Sequence, residues 1–184
     1  AELPAESGAS YLVPVTYMNS SADLKAFVGY HGGIVCTSSN AAGVLEWALE
    51  RAGENGKVLF FPDQHLGRNT ALAMGYSDDD LAVWNPMMEA DWQSLNTAKF
   101  VLWHGYCSVH QRFTVEQIND LRETHPDALV IAHPECDRTV VDAADASGST
   151  EMIRRYVEAA PSGSVIGVGT EIHLVKRLDA QYPD

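Results

Sequence analysis

Apolar residues along this chain fall into short unbroken runs separated by longer segments of mixed character. LVPVTYM (12–18), GIVCT (33–37), KVLFF (57–61), LAVW (81–84), FVLW (100–103), ALVIAH (128–133) and SVIGVG (164–169) read as strands. SADLKAFV (21–28), AAGVLEWALERA (41–52), TVEQINDLRETH (114–125), STEMIRRYVEAA (149–160) and HLVKRLDAQ (173–181) have helical periodicity. Strands that are apolar throughout and bracketed by helices predict parallel sheets covered on both faces, an α/β fold of three-layer αβα domains.

The pattern occurs twice. YLVPVTYMNS aligns with DALVIAHPEC, CTSSNAAGVLEWALERA with ASGSTEMIRRYVEAA, and KVLFFPDQHL with SVIGVGTEIHL. The offset is 116 from Tyr17 to His133 and 108 from Asp63 to Glu171. LAVW and FVLW have no counterpart in the second copy, which is expected to be incomplete. Residues 1–10 read as a tail or cut end, 11–118 as one αβα domain and 119–184 as part of another, with the boundary placed near 111–126.

In parallel α/β units ligands gather outside the carboxyl ends of the strands, and the polar residues of this chain collect there. Tyr17 and Asn19 end the first strand and Thr37–Asn40 the second, with Asp63 and His65 after the third. Cys107 and His110 follow the fifth, His133 and Glu135 the sixth, and Ser149 and Thr150 lead into a helix. TSSNA and GST each open a helix, offering amides and hydroxyls that suit phosphate or carboxylate, or else plain N-caps. In HPEC, Pro134 holds His133 and Glu135 two apart, which suits an acid/base pair or an incidental turn. Cys107 has three readings: a packed thiol, a zinc ligand with His110, or an iron–sulfur thiolate. Cys36 and Cys136 read as packing residues.

Charge narrows the partners. The 184 residues carry 12 Lys and Arg against 25 Asp and Glu, a net −13, with no basic stripe for nucleic acid or an anionic membrane. No apolar run reaches the roughly 18 to 20 residues of a membrane span. AELPAESGAS has neither the basic start nor the apolar core of an export signal, and the three cysteines leave at least one unpaired, so a cytoplasmic setting is expected. The missing initiator Met points to a chain cut from something longer.

YMNSSADLKAF, CTSSNA, FPDQHLGRN, GYCSVHQRFT, HPEC, AD followed by GST, and GTE occur in this order. Together they resemble quinolinate synthase, the iron–sulfur enzyme of NAD biosynthesis, from about residue 11 to the end; the PDQHLGRNT form is similar to the actinobacterial branch. The resemblance implies three pseudo-symmetric αβα domains around a central active site, of which this chain would hold the middle one and part of the third. It implies a transferase that condenses iminoaspartate with dihydroxyacetone phosphate, losing phosphate and water to give quinolinate, with an aspartate oxidase as a possible source of iminoaspartate. It also implies a [4Fe-4S] cluster held by one cysteine from each domain.

By motif, Cys107 matches the middle domain's cluster ligand. Tyr17 matches a site tyrosine, and Asn19 an asparagine that binds a substrate carboxylate. Ser38, Ser149 and Thr150 match hydroxyls that grip anionic groups. His133 matches a substrate-binding histidine, Glu135 the glutamate that moves protons, and His110 lines the same pocket. The family's other two cluster cysteines lie before YMN and beyond GTE, so this chain is expected to be a fragment, inactive alone. Two rivals use the same residues: a zinc hydrolase or lyase built on Cys107, His110, His133 and Glu135, and a non-enzymatic phosphate- or carboxylate-binding module.

Overall fold

The computed structural model describes residues 11–183; the tail expected at 1–10 lies outside them. Eight strands and eight α-helices follow one another along the described chain. The strands are β1 (Leu12–Tyr17), β2 (Ile34–Cys36), β3 (Lys57–Phe61), β4 (Leu81–Trp84), β5 (Phe100–Trp103), β6 (Leu129–Ala132), β7 (Ala146–Ser147) and β8 (Ile166–Gly169). The helices are α1 (Ala22–Tyr30), α2 (Ala41–Ala52), α3 (Gln64–Ala73), α4 (Trp92–Thr97), α5 (Val115–Thr124), α6 (Arg138–Ala143), α7 (Thr150–Ala159) and α8 (Ile172–Gln181). No helix among the described residues is long and apolar enough to cross a membrane.

The described residues divide into two compact units, with the division between Gly105 and Tyr106. The division falls ahead of the expected residue 118 because 106–118 packs within the second unit. There His110 stacks on His133, and Phe113 and Ile118 join a core cluster with Val130 and Val140.

In the first unit a five-stranded parallel sheet has the order β2-β1-β3-β5-β4. Alternate residues of its strands serve opposite faces, as a pleated backbone requires. Val13, Val15, Val58, Phe60, Phe100 and Leu102 pack with Val44, Leu45 and Ala48 of α2 and Leu66 of α3. Leu59, Phe61, Val101 and Ala82 pack with Val28 of α1 and Leu95 of α4. With both faces covered, every position of β3 is buried, which is why its sequence shows no polar alternation.

The second unit has a three-stranded parallel sheet, β7-β6-β8. Ile118 and Val140 cover one face, and Ile153 and Leu178 the other. This order repeats β2-β1-β3, and the repeat extends to the register. Thr16 pairs with Phe61 in the first sheet; offsets of 116 and 108 carry that pair to Ala132 and Gly169, which pair in the second. The same offsets carry the first residue of α1 to that of α6, and both ends of α3 to those of α8. Asp63 and Glu171, the acids matched between the copies, have one job: each caps its helix, accepting from the Leu66 and Leu174 amides respectively. Sheet β7-β6-β8 has no counterpart of β4 and β5 among the described residues.

Candidate active site

Cys107, His110, His133 and Glu135 all belong to the second unit. β6 ends at Ala132 and hands the chain directly to His133, whose amide donates to the Gly169 carbonyl. That bond keeps His133 in sheet register, one residue beyond the strand, and the side chain is almost wholly buried, at 2% exposure. The turn at 134–136 that follows brings Glu135 back over the ring: the Glu135 amide donates to His133 Nδ1 at 3.4 Å. His110 sits on the single 3₁₀ turn His110–Arg112, with its imidazole stacked on that of His133 at 4.8 Å between centroids and 20° between planes.

Glu135 is thereby held between two imidazoles. Its Oε2 lies 3.2 Å from His133 Nδ1 and 3.6 Å from His110 Nδ1, and all three residues are buried. At 3.2 Å the His133 ring and the Glu135 carboxylate are close enough to pass a proton between them. Burial holds the His110 pKa below its ordinary value; the Glu135 charge opposes this and His133 adds to it. The His110 ring is accordingly neutral at neutral pH. Its Nε2 lies 3.4 Å from the buried Thr170 hydroxyl, while Nδ1 is buried with no hydrogen-bond partner.

Cys107 is partly exposed, and its sulfur, a ring nitrogen of His110 and a carboxylate oxygen of Glu135 all lie within 4.8 Å of one another. The other two cysteines do not fit as ligands. Cys36 is fully buried, and desolvation pushes its thiol up to about 12. Cys136 is fully buried too and donates to the Gly169 carbonyl at 3.4 Å. No cysteine is in a disulfide. Of the three cysteines, Cys107 alone stands among other donor atoms that could hold a metal ion.

The hydroxyl clusters part company. Ser149 caps α7, accepting from the Met152 amide at 3.3 Å, with Thr150 exposed as the first helical residue. Before α2 the hydroxyls make no such cap: Asn40 Oδ1 turns back to accept from the Thr37 amide at 2.7 Å, and Ser38 is half-buried beside it. Asn19 is exposed beyond β1, whereas Tyr17 is 5% exposed and packs in the core over α2. These three belong to the first unit.

Thr170 is the site residue that the strand-end reading passed over. It stands directly after β8, where its neighbour Glu171 draws attention as the conspicuous polar group; the GTE motif contained it, but only the hydrogen bond to His110 reveals its place.

Residues 6–184 match the family described as quinolinate synthetase A protein. The chain is 60% identical to a quinolinate synthase of Corynebacterium glutamicum, over 99% of this chain and 46% of that protein. It is 53% identical to one from a Nocardioides species, over 99% of this chain and 48% of that protein, and 49% identical to one from Bacillus subtilis, over 94% and 47%. The chain thus spans about half the length of the curated relatives it matches.

Proposed function

This chain belongs to the quinolinate synthase family, and on that premise we propose that it forms part of a transferase of NAD biosynthesis. The enzyme condenses iminoaspartate, supplied by an aspartate oxidase, with dihydroxyacetone phosphate, and releases phosphate and water to give quinolinate. One observation carries the reading: the buried Glu135 carboxylate set between two stacked imidazoles, with Cys107 beside it.

Condensation followed by dehydration needs protons removed from one atom and delivered to another. A buried carboxylate and an imidazole 3.2 Å apart meet that need. Glu135 Oε2 takes a proton from the substrate beside His133, 3.2 Å away, and the reverse transfer delivers that proton to a departing oxygen. His110, kept neutral, adds no positive charge that would pin the carboxylate. Burial of all three keeps bulk water from exchanging the proton meanwhile. Ser149 and Thr150 at the start of α7, and Ser38 and Asn19 beyond the first sheet, receive the anionic groups of the substrates, while Tyr17 serves as a proton donor. Cys107 would be a ligand of a [4Fe-4S] cluster, which when bound would supply a Lewis-acidic iron.

The test uses the longer protein, which the coverage of the relatives puts at about twice this length. Glu135→Gln keeps cluster absorbance and substrate binding but slows turnover by ~10²-fold or more. Turnover near that of the wild type refutes the role.

A further inference from the structure

Thr170 is buried, at 5% exposure, and its hydroxyl lies 3.4 Å from Nε2 of the buried His110 ring. Its placement leaves no slack. Gly169, the residue before it, closes β8 in register with Ala132 and accepts from the His133 amide. Glu171, the residue after it, caps α8 by accepting from the His173 and Leu174 amides. One strand end therefore holds both imidazoles, His133 through a backbone carbonyl and His110 through a side-chain hydroxyl. The scaffold does not itself require that hydroxyl. The offset of 108 sets Thr170 against Pro62, which stands between the equivalent strand, β3, and the equivalent cap, Asp63. Proline serves the fold in the first copy and threonine in the second, so the hydroxyl answers to His110 rather than to the scaffold.

We propose that Thr170 is a positioning residue: its hydroxyl donates to Nε2 of His110 and so holds a ring that bears its proton on Nδ1, turned toward Glu135. The roles follow from the neighbours. A neutral imidazole has one N–H donor and one lone pair. Nδ1 faces Glu135 Oε2 at 3.6 Å. A carboxylate oxygen only accepts, so the ring proton belongs on Nδ1. A hydroxyl can donate or accept, and it takes the role left to it, donating to the Nε2 lone pair. With the ring turned over, a carbon would face each neighbour and both contacts would be lost. His110 Nδ1 makes no hydrogen bond in this arrangement, 3.6 Å being just too long for one. It is a neutral donor held in reserve, closing on Oε2 when the carboxylate carries its full charge and drawing back when Glu135 has taken up a proton. Glu135 then cycles between its two states beside a partner whose own charge does not change. The consequence for turnover rests on the reading of Glu135 as the group that moves protons; the arrangement of the ring does not.

The test labels the histidines of the reduced 184-residue chain with ¹⁵N and reads, from the two-bond couplings within each ring, which nitrogen carries the proton. His110→Gln assigns the His110 signals. At neutral pH the His110 proton is expected on Nδ1, with the Nε2 signal displaced by the bond it accepts. Thr170→Ser keeps that pattern. Thr170→Val removes the Nε2 displacement and leaves the exposed His31, His104, His125 and His173 unchanged. In the longer protein Thr170→Val lowers kcat ~3- to 10-fold, the worth of one such bond, with KM nearly unchanged, and Thr170→Ser restores it. A proton on Nε2 in the wild type, an Nε2 signal that Thr170→Val does not move, or a kcat that Thr170→Val leaves intact would each overturn the proposal. The wild-type spectrum needs no variant, so the proposal stays open to refutation should Thr170→Val fail to fold. Full turnover in Glu135→Gln would instead strike the reading of the reaction, and the His110 ring signals would stand.

Discussion

Two helical glycines offer the same substitution with opposite expected outcomes. A methyl group added at Gly43 in α2 meets nothing within 4 Å. At Gly67 in α3 it lies 2.8 Å from Leu102 Cδ2 and 2.9 Å from Phe60 Cδ1. Alanine in place of glycine stabilises a helix by about 0.5–1 kcal/mol through backbone entropy. Gly43→Ala has only that term, near its lower end because the position is in the first turn. Gly67→Ala adds overpacking of about 1–3 kcal/mol. Phe60 and Leu102 are fully buried and have nowhere to retreat, so the clash wins and a net loss of about 0.5–2 kcal/mol is expected. The assay is urea unfolding followed by tryptophan fluorescence. All four tryptophans, at 47, 84, 92 and 103, lie in the first unit, so the signal reports that unit alone. The two midpoints should move in opposite directions with little change in slope. Gly67→Ala equal to or more stable than the wild type would mean that α3 does not lie this close to β3 and β5.

Two further outcomes follow from the buried groups. Iodoacetamide at pH 8 should modify Cys107 first, with Cys36 and Cys136 reacting only on unfolding. Both are fully buried, and the Cys36 thiol, pushed up to about 12, stays protonated; rapid labelling of Cys36 in the folded chain would contradict its placement. His110 titrates below 6.5 in the fold, so the unfolded chain binds the extra proton first as pH drops. Stability from its neutral ring is fully present above 6.5 and is lost as pH falls through the lower folded value. Protection of the β6 amides, taken relative to the intrinsic exchange rate at each pH, should fall over that range, and His110→Gln should flatten the dependence; an unchanged slope in His110→Gln would refute it.

Much of the fold was legible because both sheets are buried on both faces, so seven of their strands are unbroken apolar runs. What escaped has a physical reason in each case. α3 buries Leu66, Gly67, Asn69 and Ala71, a face too small and polar to show an apolar stripe. α4 and α6 are six residues long with one buried residue apiece, Leu95 and Val140, and β7 has two residues. The site was legible in outline. Cys107, His110, His133 and Glu135 were all marked by their position at strand ends, and these four come together. Strand-end position did not separate ligand-facing groups from caps: Asp63 and Glu171 spend their oxygens on helix amides. Nor could it place Thr170, whose role depends on a partner sixty residues away.

The register shared by the two sheets also bears on how such a protein acquires new chemistry. The offset of 116 sets Tyr17 against His133 and Asn19 against Glu135, a phenol and an amide in one half against an imidazole and a carboxylate in the other. Meanwhile Asp63 and Glu171 keep the same capping duty in both. A gene segment that has been copied can let its mouth diverge while its scaffold stays under the old constraint, because loss of a cap unfolds a helix whereas exchange of a rim residue only alters what is bound. Each half then samples reactive groups independently, and division of labour arises without the invention of a second fold.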